Sequence, residues 1–162
     1  KHMKILRTLT ILLAISLALP SIAGAFFPDT YVRDSPSMGA QGVGQDLVDL
    51  FIAVPLLLFS FLYMSRGSRL ATLIYGGTVG YIMYSFIIYC FGVYFNQFFL
   101  LYCLTLSLSL YTFIVLISDL RRMQVESWFE GAPVKLVSVY LMVVAAIFYA
   151  LWLKSIIPAI GS

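Results

Sequence analysis

From Leu70 to Ser118 the chain contains no Asp, Glu, Lys or Arg. A stretch that long without charge holds two segments of the roughly 20 apolar residues that one helix needs to cross the hydrocarbon core of a bilayer. The whole composition agrees: 62% of residues are hydrophobic and 10% are charged, against about a quarter charged in soluble domains. A soluble fold of 162 residues has too little interior for so much apolar sequence. The sequence therefore predicts an all-α, polytopic helical membrane protein, one transmembrane domain over residues 1–162.

Five spans are expected, at about 8–27, 46–64, 70–91, 98–117 and 134–157. The apolar runs are long and continuous, so the period-2 alternation of a membrane β-barrel is missing. The first run ends in Ala23-Gly24-Ala25, which also fits the cleavage site of a secretory signal; a retained span is the preferred reading. Lys1 and His2 ahead of Met3 read as a tag remnant and Gly161-Ser162 as a linker scar, with a native chain able to extend past Ile160.

Positive residues near span ends are retained on the cytoplasmic side. Lys4, Arg7, Arg66, Arg69, Arg121, Arg122 and Lys135 fall on one side of the five spans, against Arg33 and Lys154 on the other. The amino end is thus expected inside and the carboxyl end outside, in the cell (cytoplasmic) membrane. The formal net charge of +3 bears on this orientation. It forms no clustered basic face, so no nucleic acid is expected as a partner. Membrane lipids are the default partners, with a homo-oligomer or a partner membrane subunit also open.

With His2 set aside as tag the chain has no histidine, which removes imidazole bases, histidine metal sites and axial haem ligands. No metal and no cofactor is expected. Glycines 39, 42 and 44 do not make a phosphate cradle, because no strand precedes them and no Lys-Ser/Thr follows. They fall in a first outer loop, 28–45, the most polar stretch of the chain.

Asp46 and Asp49 are the acids to weigh first. Three apart at the expected start of the second span, they suit a cap that meets orphan amides and the positive helix end. An acid at membrane depth also marks a site for a cation, an amine or a proton. Polar seams continue from there. On the third span Thr78, Tyr81, Ser85, Tyr89, Gly92 and Asn96 follow steps of three or four, and on the fourth Tyr102, Thr105, Ser109 and Thr112 share a face. Hydroxyls packed between helices are the first explanation of such seams; a Tyr/Ser/Thr-lined cavity opening outward under Gln45 and Asp46 is the functional alternative. The candidate ligand-binding set is Gln45, Asp46, Asp49, Tyr81, Ser85, Tyr89, Asn96, Tyr102, Thr105 and Ser109. Gly76 and Gly80 form a small-xxx-small packing pair. Pro55 is expected to kink the second span. Cys90 and Cys103 flank the 92–97 turn and are expected at similar depth on paired antiparallel helices, where a disulfide is geometrically conceivable.

The strings Tyr31-x-Arg33-Asp34, Gly44-Gln45-Asp46, Pro55-Leu56-Leu57, Arg66-Gly67-Ser68, Tyr84-Ser85-Phe86, Tyr89, Phe91-Gly92-Val93 and Phe95-Asn96-x-x-Phe99-Leu100 resemble a family of uncharacterised prokaryotic multispanning membrane proteins. The likeness covers most of residues 29–117. It implies a helical membrane fold, with further spans in similar chains, and carries no activity.

Three classes of function follow: a protein that binds or transports a lipid-like or small polar ligand, a scaffold or subunit of a larger complex, and an intramembrane enzyme with Asp46 and Asp49 as acid and base. The absence of histidine, of a nucleophile motif and of a metal-ligand cluster puts the enzyme last. The continuous seam toward an acidic, glycine-rich mouth puts ligand binding first.

Overall fold

A computed structural model describes residues 2–160, leaving aside the side chains at 2, 28, 155 and 158–160; Lys1 and the Gly161-Ser162 end, read as tag and linker, lie outside the described residues. The described residues form six α-helices: α1 (His2–Phe26), α2 (Pro36–Val48), α3 (Val54–Ser65), α4 (Arg69–Phe91), α5 (Phe99–Arg122) and α6 (Val134–Ile160). A π-helical turn, Asp49–Ala53, joins α2 to α3. Five segments are long and apolar enough to cross a membrane: Met3–Phe26, Pro36–Ser65, Arg69–Phe91, Phe99–Arg122 and Val134–Lys154. This is the all-helical chain with five helices of spanning length and apolarity that the hydropathy predicts.

Two compact units make up the chain, residues 1–124 and 125–162. In the first, α1 packs on α3 and α5, and α4 packs on the same two helices, which closes a four-helix bundle. Short connections make sequential helices antiparallel neighbours. Gly67 turns the chain between α3 and α4 at φ +89°, a conformation with no steric cost for glycine. Ser68 then caps α4, its hydroxyl accepting the Ala71 N–H at 3.3 Å.

The bundle interior is built from Leu13, Leu17, Leu57, Tyr75, Val79 and Ile82, all inaccessible. Thr10 and Tyr75 meet across it, their hydroxyls 2.6 Å apart, linking the diagonal pair α1 and α4. Gly76 lets α5 approach closely, because a Cβ there would lie 3.2 Å from Leu116 Cδ2. At Gly80 the nearest atom to such a Cβ is Phe113 Cε2, at 3.9 Å. The predicted packing role therefore rests mainly on Gly76.

Four hydroxyls of the polar seams bond carbonyls of their own helix. Thr78 bonds the Ile74 carbonyl at 2.8 Å, Ser109 that of Leu106 at 2.8 Å, and Thr112 that of Leu108 at 2.7 Å. Such back-bonding removes the cost of a lone hydroxyl in hydrocarbon without a partner helix. Thr105 does both: it bonds Leu101 O and also Ser16 O of α1, each at 2.9 Å.

The structure differs from expectation at the second span, whose helix begins at Pro36. Ser35 provides the cap, its hydroxyl accepting the Met38 N–H at 3.3 Å, and Pro36 stands in the first turn, where its missing N–H costs nothing. Asp46 and Asp49 are thus internal to the helix and do not cap it. Residues 36–45, read as loop for their glycines and glutamines, are helical. Pro55 acts as a π turn. It offers no N–H to the Phe51 carbonyl and crowds it, and the helix widens just ahead of it, with the Val54 N–H bonding Asp49 O.

The second unit contains a 3-10 turn, Val125–Phe129, and α6. No residue of the apolar Val134–Lys154 window is buried.

Candidate functional site

Asp46 and Asp49 are 1% and 0% exposed, and each sits in its own polar nest. Asp46 Oδ2 accepts from the Tyr31 hydroxyl and Oδ1 from the Tyr89 hydroxyl at 3.0 Å; the same Tyr89 oxygen lies 3.3 Å from the Gly42 carbonyl. Two glycines make room for this arrangement. A Cβ at Gly24 of α1 would overlap the Asp46 carboxylate, and one at Gly42 would stand 2.9 Å from Tyr31 Cζ. Burial, with Tyr89 and Asp46 beside it, raises the Tyr31 pKa above its ordinary value, so this phenol holds its proton and serves as a donor.

Asp49 is held differently. Its Oδ1 accepts from Tyr81 at 2.9 Å and from Gln45 Nε2 at 3.2 Å, while Oδ2 is buried without a hydrogen-bond partner. Gln45 Nε2 also reaches the Tyr81 hydroxyl and, at 3.3 Å, Ser85 Oγ. Gln45 and Asp49, four apart, share a helix face. The π turn starts at Asp49, a feature that recurs at functional sites.

In front of this second nest, α2 and α4 leave a groove of about 220 Å³. Gln45, Tyr81, Ser85 and Tyr89 form its polar floor, and Met38, Tyr84, Ile88 and Val93, with Gln41 and Gly42 among them, its largely apolar sides. A further cavity of about 360 Å³ lies among Asp29, Thr30, Arg33, Asp34 and the 94–98 segment. There Asp34 Oδ1 accepts the Tyr94 N–H at 2.9 Å, and the Arg33 guanidinium lies 5.7 Å from the Tyr94 ring centre.

The structure brings together six of the ten predicted site residues: Gln45, Tyr81, Ser85 and Tyr89 on the groove floor, with Asp46 and Asp49 directly behind them. The other four stand elsewhere. Asn96 lines the further cavity and donates to the Tyr102 hydroxyl at 3.2 Å. Tyr102 is buried against Tyr89 and Phe86, with ring centres 5.1 and 6.1 Å away. Thr105 and Ser109 are buried on α5, bonded to backbone carbonyls, and line no part of the groove. Cys90 and Cys103 do lie at one depth, as free thiols with Sγ atoms 4.0 Å apart.

Sequence reasoning missed Tyr31, Gly24, Met38 and Gln41. The first two come from other segments and reach Asp46 only through the fold. The last two stand on a helical turn read as loop, where Ser35-Pro36 was the available signal of a helix start. Among the described residues no group of three or more His, Cys, Asp or Glu is placed to hold a metal ion. Compared with protein-family models, curated proteins and solved structures, the chain matches none.

Proposed function

We propose that the protein is a ligand-binding membrane protein whose α2–α4 groove holds the polar head of an uncharged or cationic amphiphile. The observation that carries this reading is the groove itself: hydroxyl and amide groups on its floor, apolar side chains on its sides. An amphiphile presents the same division, a head that seeks hydrogen bonds and a tail that lies among Met38, Ile88 and Val93. Size points the same way. About 220 Å³ is below the roughly 300–1,000 Å³ of sites that enclose drug-sized ligands, and suits a headgroup alone. Charge narrows the class: no Lys or Arg lines the groove, and two buried acids stand behind it, so an anionic head is disfavoured. The Lys and Arg distribution supports an amino end in the cytoplasm, which puts the groove toward the outer leaflet.

Native mass spectrometry of the gently solubilised protein, with extraction and identification of what stays bound, tests the reading. The expected result is a defined lipid or small molecule held by the wild type and lost from Gln45→Leu and Tyr81→Phe variants that still fold. A bare wild-type protein, or one carrying only a partner subunit or copies of itself, overturns it and assigns the polar seams to helix packing.

A further inference from the structure

We infer that Cys90 and Cys103 are a thiol–disulfide couple that staples α4 to α5 across the 92–98 connection. They are the only two cysteines in the chain, so each has one possible intramolecular partner. Cys90 is the penultimate residue of α4, and Cys103 lies in the first two turns of α5. Antiparallel packing sets them side by side, with Sγ atoms 4.0 Å apart. A disulfide needs about 2.05 Å, and the two sulfurs are already in contact with no atom to displace between them. Both residues are partly exposed, so a small oxidant can reach them.

The oxidant is a disulfide-bearing thiol compound of the glutathione class. The thiolate of one cysteine attacks its S–S bond and forms a mixed disulfide, releasing one thiol. The second cysteine's thiolate then displaces the other half. One Cys90–Cys103 bond forms, the oxidant's bond breaks, two electrons pass to the oxidant, and the two protons leave on the two released thiols. The closed loop includes Asn96, one wall of the further cavity, and ends beside Tyr102, to which Asn96 donates. Oxidation therefore tethers that wall to the bundle. The cellular form rests on the orientation proposed above, which turns this connection toward the oxidising side of the membrane.

Two arms separate the inferences. Purified full-length protein is equilibrated with oxidised and reduced glutathione, alkylated, and read by intact mass. The expected product is a monomer lighter by two hydrogens and closed to alkylation, while Cys90→Ser and Cys103→Ser each take one glutathione. Full alkylation of the wild type, two glutathione adducts, or disulfide-linked dimers overturn the couple. Cells are then acid-quenched and alkylated without purification. Protected cysteines support the disulfide as the cellular form. Free cysteines there, with a disulfide in the purified protein, keep the couple and overturn the orientation.

Discussion

The Asp46 carboxylate occupies the space that a side chain at Gly24 would take. Gly24 lies near the end of α1 and Asp46 in α2, and the carboxylate and the Tyr31 hydroxyl both crowd the space in front of Gly24. Asp46 is short, and the Tyr31 and Tyr89 hydroxyls hold it on both sides, so it has nowhere to turn. Gly24→Ala is expected to lower stability by about 1–3 kcal/mol, the usual cost of overpacking. Thermal unfolding of the detergent-solubilised protein checks this. An unchanged midpoint would mean that α1 slides freely past α2.

The two acids should respond differently to the same change. Asp46→Asn leaves one of two buried tyrosine hydroxyls facing an amide donor, and is expected to cost about 1–3 kcal/mol. Asp49→Asn keeps the Oδ1 acceptor for Tyr81 and Gln45 and puts an amide where an oxygen has no partner; losing a buried charge offsets the amide's unpaired N–H groups, so its cost is expected below about 1 kcal/mol. Parallel unfolding of the two variants decides between this asymmetry and a shared role.

Thr10 has a second partner, the Leu6 carbonyl at 2.7 Å, whereas among the described residues the Tyr75 hydroxyl bonds Thr10 alone. A double-mutant cycle of Thr10→Val and Tyr75→Phe should therefore give a coupling of about 0.6 kcal/mol, the average for hydrogen bonds between membrane helices. A coupling near zero would show that the diagonal contact adds nothing beyond packing.

Orientation has its own test. With Cys90 and Cys103 replaced by Ser, a single cysteine at the exposed Ser65 should react with a membrane-impermeant maleimide only after the membrane is opened. One placed at Val32 should react in intact cells. The reverse pattern would invert the proposed topology and move the groove to the inner leaflet.

Helix number was legible because membrane hydrocarbon imposes a length and an absence of charge that can be counted along the chain. The Gln45, Tyr81, Ser85 and Tyr89 set was legible for a related reason: polar residues at helical spacing in an apolar run stand out. Tyr31 and Gly24 were not, since neither breaks a local pattern and both matter only through a contact distant in sequence. Thr105 and Ser109 misled because a hydroxyl on a helix can bond its own preceding turn, so a polar stripe need not face a cavity. The Pro36 start was hidden by Gly39, Gly42 and Gly44, residues poor in helix propensity that tertiary packing overrides; at Gly42 the missing side chain is what admits Tyr31.

The π turn at Asp49–Ala53 resets the angular phase of a single span. An α-helix advances about 100° per residue, so one residue more than the α register needs sets α2 back by that angle relative to α3. The lower half of the span is thereby phased to the bundle interior, and the upper half to Tyr31 on one side and α4 on the other. Deleting one residue from 50–53 would take out that extra residue, with Pro55 still withholding its N–H, and would swing Gln45 and Asp46 off their partners together. The groove is thus set by residue count at a place that does not touch it.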